Sequence, residues 1–284
     1  VGFFENSLSL ATEAKNSTLV SYAYESMGYC FSSLKKYNQA IVSYQKALSS
    51  SAKKGTKKAA VYAQIAYCNF AISELKEAIE YYEKLQARYP FGVYTQQSQI
   101  ELAYCYFRTD DPMMAITTID RFIKLYPTHA NMSYAFYLRG LINFGRGKGL
   151  AERWLPKDGS QRDPGMSLES FNDFSEVVKT FPESVYVEDS RLRMRYLRNQ
   201  LAQHEVNVSN YYMRRGAYVA SANRARYVIE KYQQTPAVPA ALVLLVKSYK
   251  ILELNDLAAD ALSVLELNYP DHPRLPEIKA VSVE

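Results

Sequence analysis

The chain has 284 residues, 48% of them hydrophobic, and carries a formal net charge of +5. With 11 Gly and 11 Pro it is neither collagen-like nor low-complexity. No apolar run reaches the 18 residues or so of a membrane span, the longest being 237–246. So mild a charge does not by itself point to nucleic acid.

The first predicted element is a helix from Leu19 to Leu34, followed by a turn at Lys36-Tyr37-Asn38 and a second helix from Gln39 to Ser49. Apolar or small residues at Met27, Gly28 and Phe31, then Ala40, Tyr44 and Ala47, fall at helical spacing. The phrase Met27-Gly28-Tyr29-Cys30-Phe31 then recurs as Ile65-Ala66-Tyr67-Cys68-Asn69-Phe70 and as Leu102-Ala103-Tyr104-Cys105-Tyr106-Phe107. Each copy is followed by Ala-Ile, at Ala40, Ala78 and Ala115, with a period of 38 and then 37 residues. A fixed period of this length marks a helical solenoid, a class that usually binds other chains. Gly28 and Ala40 are small where two helices must approach closely.

In the second copy Ala66, Ala78, Tyr82, Leu85 and Pro90 take the matching places; in the third, Ala103, Ala115, Ile119, Phe122 and Pro127. Pro90 and Pro127 stop the second helix of each pair. The spacing of twelve positions from the small residue to Ala, and twelve more to Pro, resembles the tetratricopeptide repeat. A fourth repeat carries Tyr134, Tyr137, Gly140 and Phe144 on its first helix and ends at Phe181-Pro182. It is interrupted by a polar insertion at 145–165 holding the sole Trp, Trp154. That loop reads equally as a docking element or as one packed back on the repeats. A degenerate fifth repeat spans 189–233, and the sixth recovers the pattern at Val246, Tyr249, Ala258, Leu262, Leu265 and Pro270. The tail beyond Pro270 frays or caps the stack. The expected fold is an all-α tetratricopeptide-repeat solenoid of about six helix pairs.

Cys30, Cys68 and Cys105 occupy one equivalent position in three repeats. Packed helices lie about 8–10 Å apart, beyond the ~7 Å between Cα atoms that a disulfide allows. Without nearby His they do not make a zinc site. The chain starts at Val1 with no basic start and no signal-like apolar segment, which suits either a cytosolic protein or removal of a targeting segment.

From about Val61 onward the chain resembles the BamD/ComL family, tetratricopeptide lipoproteins of the bacterial β-barrel assembly machinery. The resemblance rests on Arg88-Tyr89-Pro90-Phe91-Gly92 with Tyr94 and Gln96-Gln97, and on Ile119-Asp120-Arg121-Phe122-Ile123 with Pro127-Thr128-His129. It continues in Tyr137-Leu138-Arg139-Gly140-Leu141, in Arg162-Asp163-Pro164, and in the run Tyr211 to Tyr218 with Asn223-Arg224. It covers about 210 of the 284 residues. Two features depart from the family pattern. Its lipobox cysteine has no counterpart, so membrane attachment is expected only through a lipid anchor absent from this chain. Residues 1–57 add a sixth repeat in front of the usual five.

The resemblance implies an outer-membrane protein at the periplasmic face of a Gram-negative bacterium. Its implied partners are a BamA POTRA domain, other Bam lipoproteins and the unfolded C-terminal segments of outer-membrane proteins, and not nucleic acid. It further implies front repeats at 58–188 that receive substrate peptides and rear repeats at 189–284 that hold partners. In tetratricopeptide folds one side of each first helix lines the inner face. Here that side carries Tyr22 and Tyr29, Tyr67 and Phe70, Tyr104 and Phe107, then Tyr134, Tyr137 and Phe144. Such rings offer contacts to an extended peptide, or they fill space between repeats. The Lys, Asn and Arg clamp of chaperone adaptors is missing: Glu25, Tyr29, Ala63, Tyr67, Ile100 and Tyr104 stand in its places.

Arg191, Arg195 and Arg198 share one helix face, and Arg214, Arg215, Arg224 and Arg226 follow. They read as a solvated face or as a dock for an acidic partner. The resemblance points to Tyr211, Arg215 and Arg224 as the dock for BamA. His129, His204 and His272 are scattered, and no catalytic motif, metal set or cofactor fingerprint appears. The chain therefore reads as a non-enzymatic binding subunit of the assembly machinery. The alternative is a periplasmic tetratricopeptide cell-envelope coordinator linked to Tol–Pal or peptidoglycan work.

Overall fold

The computed structural model describes residues 2–50, 56–146 and 164–280. Among these residues all regular structure is helical. In chain order α1 (Gly2–Glu13) precedes the pairs α2 (Ser17–Ser33) and α3 (Tyr37–Ser49), α4 (Thr56–Ala71) and α5 (Leu75–Arg88), and α6 (Val93–Arg108) and α7 (Pro112–Leu125). There follow α8 (Met132–Arg146) and α9 (Pro164–Thr180), α10 (Val187–Arg214) and α11 (Tyr218–Lys231), α12 (Val238–Ile251) and α13 (Asn255–Asn268), and finally α14 (Leu275–Ala280). The six pairs are those read from the sequence, and the chain is an all-α tetratricopeptide-repeat solenoid. Trp154 and most of the predicted insertion lie outside the described residues.

The turn inside a pair is built the same way in all five pairs whose turn is among the described residues. Lys35, Ser73, Asp110, Gly216 and Glu253 adopt left-handed backbone, with φ of 57°, 66°, 64°, 75° and 58°. The next amide donates to the carbonyl five residues back: Lys36 to Phe31 at 2.8 Å, Glu74 to Asn69 at 2.9 Å, Asp111 to Tyr106 at 2.9 Å, Ala217 to Tyr212 at 3.0 Å and Leu254 to Tyr249 at 2.9 Å. This is the Schellman closure, which satisfies carbonyls at a helix C-terminus. Lys15 (φ 51°) closes α1 in the same manner. Two following helices are also capped by side chains. Asn16 accepts from the Leu19 amide and Asp111 from the Met114 amide, each at 3.1 Å.

The repeated small residues sit at helix crossings. Ala40, Ala66, Ala78, Ala103 and Ala115 are fully buried. A Cβ added to Gly28 would lie 2.7 Å from the Tyr44 ring, and that ring is only 2% exposed. The second and third pairs are joined crosswise by polar bonds. The Tyr82 hydroxyl of α5 donates to Glu101 of α6 at 2.5 Å, while the Tyr106 hydroxyl of α6 donates to Glu83 of α5.

Two features go beyond the sequence reading. Helix α1 was not anticipated, because it precedes the first copy of the repeated phrase and buries only Ala11. Helix α10 is a single helix of 28 residues, uninterrupted by Gly or Pro. The tail caps rather than frays: Leu275 and Ile278 of α14 are buried against the last pair, and Lys247 pairs with Glu277 at 2.5 Å.

The chain forms two compact units, Val1–Ile142 and Asn143–Glu284. The division falls near the end of α8. The expected front–rear boundary at 188/189 falls at the start of α10, and α9 packs closely on α10.

Candidate functional site

Tyr29, Tyr67 and Tyr104 stand at one repeat position of α2, α4 and α6, one residue after the small residue that faces the paired helix. That neighbour fixes the rotation of each helix, so the tyrosine is turned away from the crossing. Tyr29 is 67% exposed and Tyr67 41%, while Tyr104, Phe70 and Phe107 are half-buried. The first unit links these rings in pairs. Phe70 meets Tyr104 edge-on at 5.6 Å between centroids, and Tyr67 meets Tyr37 edge-on at 6.4 Å. Burial, with the Tyr37 hydroxyl and Glu101 nearby, raises the Tyr67 phenol above its ordinary value.

Arg108, one helical turn after Tyr104, lies 5.7 Å from that ring centroid and donates to its hydroxyl at 2.7 Å. This cation was not singled out in the sequence. Its i, i+4 spacing from Tyr104 was the available signal. Tyr134 and Tyr137 are half-buried on α8. Phe144 belongs to the second unit, where its ring lies 5.6 Å from Tyr196 and 5.3 Å from the Arg193 guanidinium.

The second candidate surface lies on α10 and α11. The Gly216 turn presents Arg214 and Arg215, both exposed. The Arg215 guanidinium sits 5.4 Å over the Tyr211 ring, which in turn meets Tyr212 edge-on at 5.7 Å. Arg224 is ion-paired with Glu205 at 3.0 Å across the helix pair. It also lines an open pocket of about 400 Å³ with Tyr212, Ala220, Asn223 and Tyr227. Burial beside Tyr227 and Glu205 pushes the Tyr232 phenol up to about 12.

The arginines of α10 do not form a uniform row. Arg191 pairs with Glu188 at 2.6 Å, Arg198 donates to the Gln233 carbonyl at 2.8 Å, and Arg195 is exposed. Among the described residues no group of His, Cys, Asp and Glu gathers as a metal site. Cys68 and Cys105 are buried, and burial raises both thiols, Cys105 to about 12. High thiol pKa values suit packing rather than reactivity. What the two surfaces offer is rings, paired guanidinium groups and an open pocket, which is recognition chemistry.

A tetratricopeptide repeat model matches residues 21–54, the added front repeat. The crystal structure of MamA protein superposes with a TM-score of 0.50 at 14% identity, over 74% of this chain and 94% of that one, and shows the fold alone. A family model described as YfiO, outer membrane lipoprotein, matches residues 53–265. Outer membrane protein assembly factor BamD of Neisseria meningitidis serogroup B is 42% identical over 193 residues, which is 68% of this chain and 72% of that protein. The BamD protein of Vibrio cholerae is 35% identical over 184 residues, 65% of this chain and 76% of that one. By the extent of these matches, the chain belongs to the BamD (YfiO) family of outer membrane lipoproteins.

Proposed function

We propose that this chain is a subunit of the β-barrel assembly machinery at the periplasmic face of the outer membrane. In this reading the first unit receives extended, aromatic-rich segments of outer-membrane protein precursors. The second unit docks a POTRA domain of BamA through Tyr211, Arg215 and Arg224, and other Bam lipoproteins join the same assembly. The role is binding, without catalysis.

The observation that carries the reading is the tyrosine ladder of α2, α4 and α6 in a chain of this family. Its rings keep exposed edges, and Phe70 braces Tyr104. Half-exposed aromatics with a polar tip make good anchors for a peptide whose side chains alternate along a strand. On the second unit the arginine–tyrosine stack at Arg215 leaves guanidinium donors for a carboxylate partner.

The test is fluorescence anisotropy with a labelled peptide copying the last strand of an outer-membrane β-barrel. Wild-type chain should bind it. The double variant Tyr67→Ala/Tyr104→Ala should bind at least tenfold more weakly, since each ring is an anchor of about 1 kcal/mol or more. A POTRA fragment of BamA tested against Arg215→Glu examines the second surface. Equal binding by wild type and both variants would sink the assignment of residues. No binding by folded wild type to either probe would favour the cell-envelope coordinator.

A further inference from the structure

The added front repeat carries a pocket that the family match, which starts at residue 53, does not include. It is an open cavity of about 370 Å³ between α1 and α2. Phe4 and Leu10 of α1 and Leu19 and Tyr22 of α2 supply apolar wall, and Ser7 and Ser26 supply hydroxyls. Apart from the Tyr22 phenol, no side chain lining it is ionisable. Phe4 is braced edge-on by Phe3 at 5.7 Å, and Phe3 is 78% exposed. Leu10 and Leu19 are 67% and 52% exposed, so apolar surface surrounds the mouth.

The position of the pocket matters as much as its lining. Tyr22 lies two helical turns before Tyr29 on α2, so both rings belong to one face of that helix. The pocket, the ladder and the Phe70–Tyr104 pair all lie within the first compact unit. We infer that the front repeat extends the peptide-binding face and that this pocket receives one aromatic side chain of the bound peptide. This rests on the peptide-receiving role proposed above.

The chemistry selects the occupant. A cavity of about 150 Å³ lined by apolar side chains already admits a benzene ring, so this one holds a phenyl, phenol or indole ring with its linkage. A charged side chain would lose its hydration without finding a counter-ion. The Phe4 and Tyr22 rings offer edge and face contacts to another ring, and the serine hydroxyls can bond a phenol or an indole N–H.

The experiment uses the full chain and a labelled twelve-residue peptide that alternates aromatic and polar residues, with a series replacing each aromatic in turn by Ala. Ser26→Trp fills the pocket from a half-buried position, and Tyr22→Ala removes one wall; circular dichroism checks that both remain helical. Ser26→Trp should weaken the parent peptide about tenfold. It should have no further effect on the one peptide whose pocket-bound aromatic is already Ala, a coupling that locates the ring. Unchanged affinity in both variants overturns the inference while leaving the peptide role intact. So does a loss equal for every peptide in the series. Self-association that Ser26→Trp abolishes, with peptide binding unchanged, overturns it in favour of a second copy of the chain. Failure of wild type to bind any peptide removes the peptide role and this inference with it.

Discussion

Replacing Gly28 by Ala tests the closest helix crossing in the first unit. The new methyl would stand 2.7 Å from two carbons of the Tyr44 ring and 2.9 Å from a third. Tyr44 is 2% exposed and packs with Ala40, Val61, Ile65 and Cys68, so the ring has no free volume to retreat into. Overpacking of this kind costs about 1–3 kcal/mol, here toward the upper end because three ring atoms are contacted. Alanine returns about 1 kcal/mol of helix propensity. The net expectation is a loss of about 1–2 kcal/mol, read as a lower urea midpoint and as faster amide exchange localised to α2 and α3. The third repeat places Ala103 opposite Ile119 at the same sequence spacing. The double variant Gly28→Ala/Tyr44→Ile should therefore couple favourably, by about 1 kcal/mol relative to the sum of the single changes. A Gly28→Ala protein as stable as wild type, or a cycle without coupling, would refute the close approach.

Four further outcomes are expected. Burial raises the phenols of Tyr44, Tyr82 and Tyr106, takes Tyr232 to about 12, and takes the Cys105 thiol to about 12. These groups hold their protons longer folded than unfolded, so stability is complete below the unfolded values near 9–10 and falls as pH rises above them. Urea titrations at pH 7, 9 and 10.5 should show a falling midpoint, and a flat profile would contradict the burial. At the left-handed turn positions Lys35→Gly and Ser73→Gly should each raise stability by about 0.5–1 kcal/mol in the same titration, because glycine carries no side-chain penalty there. Arg224→Glu sets a second carboxylate against Glu205, itself 15% exposed, and should lower the thermal midpoint more than Arg224→Gln does. Arg215→Glu breaks no ion pair and should leave the midpoint nearly unchanged, which makes it the cleaner docking variant.

The repeat architecture was legible because Gly28, Ala66 and Ala103, and then Ala40, Ala78 and Ala115, recur at a steady period, and a helix crossing has no other use for that pattern. The orientation of the tyrosine ladder followed from the same residues, since a fixed small neighbour fixes the face. What escaped was whatever depends on partners far apart in sequence or falls outside the repeated phrase. Nothing in the chain announces that Arg224 spends its charge on Glu205 across the α10–α11 turn. Helix α1 leaves Phe3 and Leu10 in solvent, buries Ala11 and lies outside the repeated phrase, so its pocket could not be foreseen. The length of α10 escaped because no small-residue phrase marks its centre, while the absence of Gly and Pro that permits it is a negative signal.

The reciprocal tyrosine–glutamate bonds between α5 and α6 give that seam a mechanical character. Each helix both lends and accepts a proton at the contact, through Tyr82 to Glu101 in one direction and Tyr106 to Glu83 in the other. Sliding one pair past the next would stretch both bonds at once. A pull on either helix pair would thus be borne as a load shared by both. Under such a load the spacing between the Tyr67 and Tyr104 rungs would hold like the marks on a ruler.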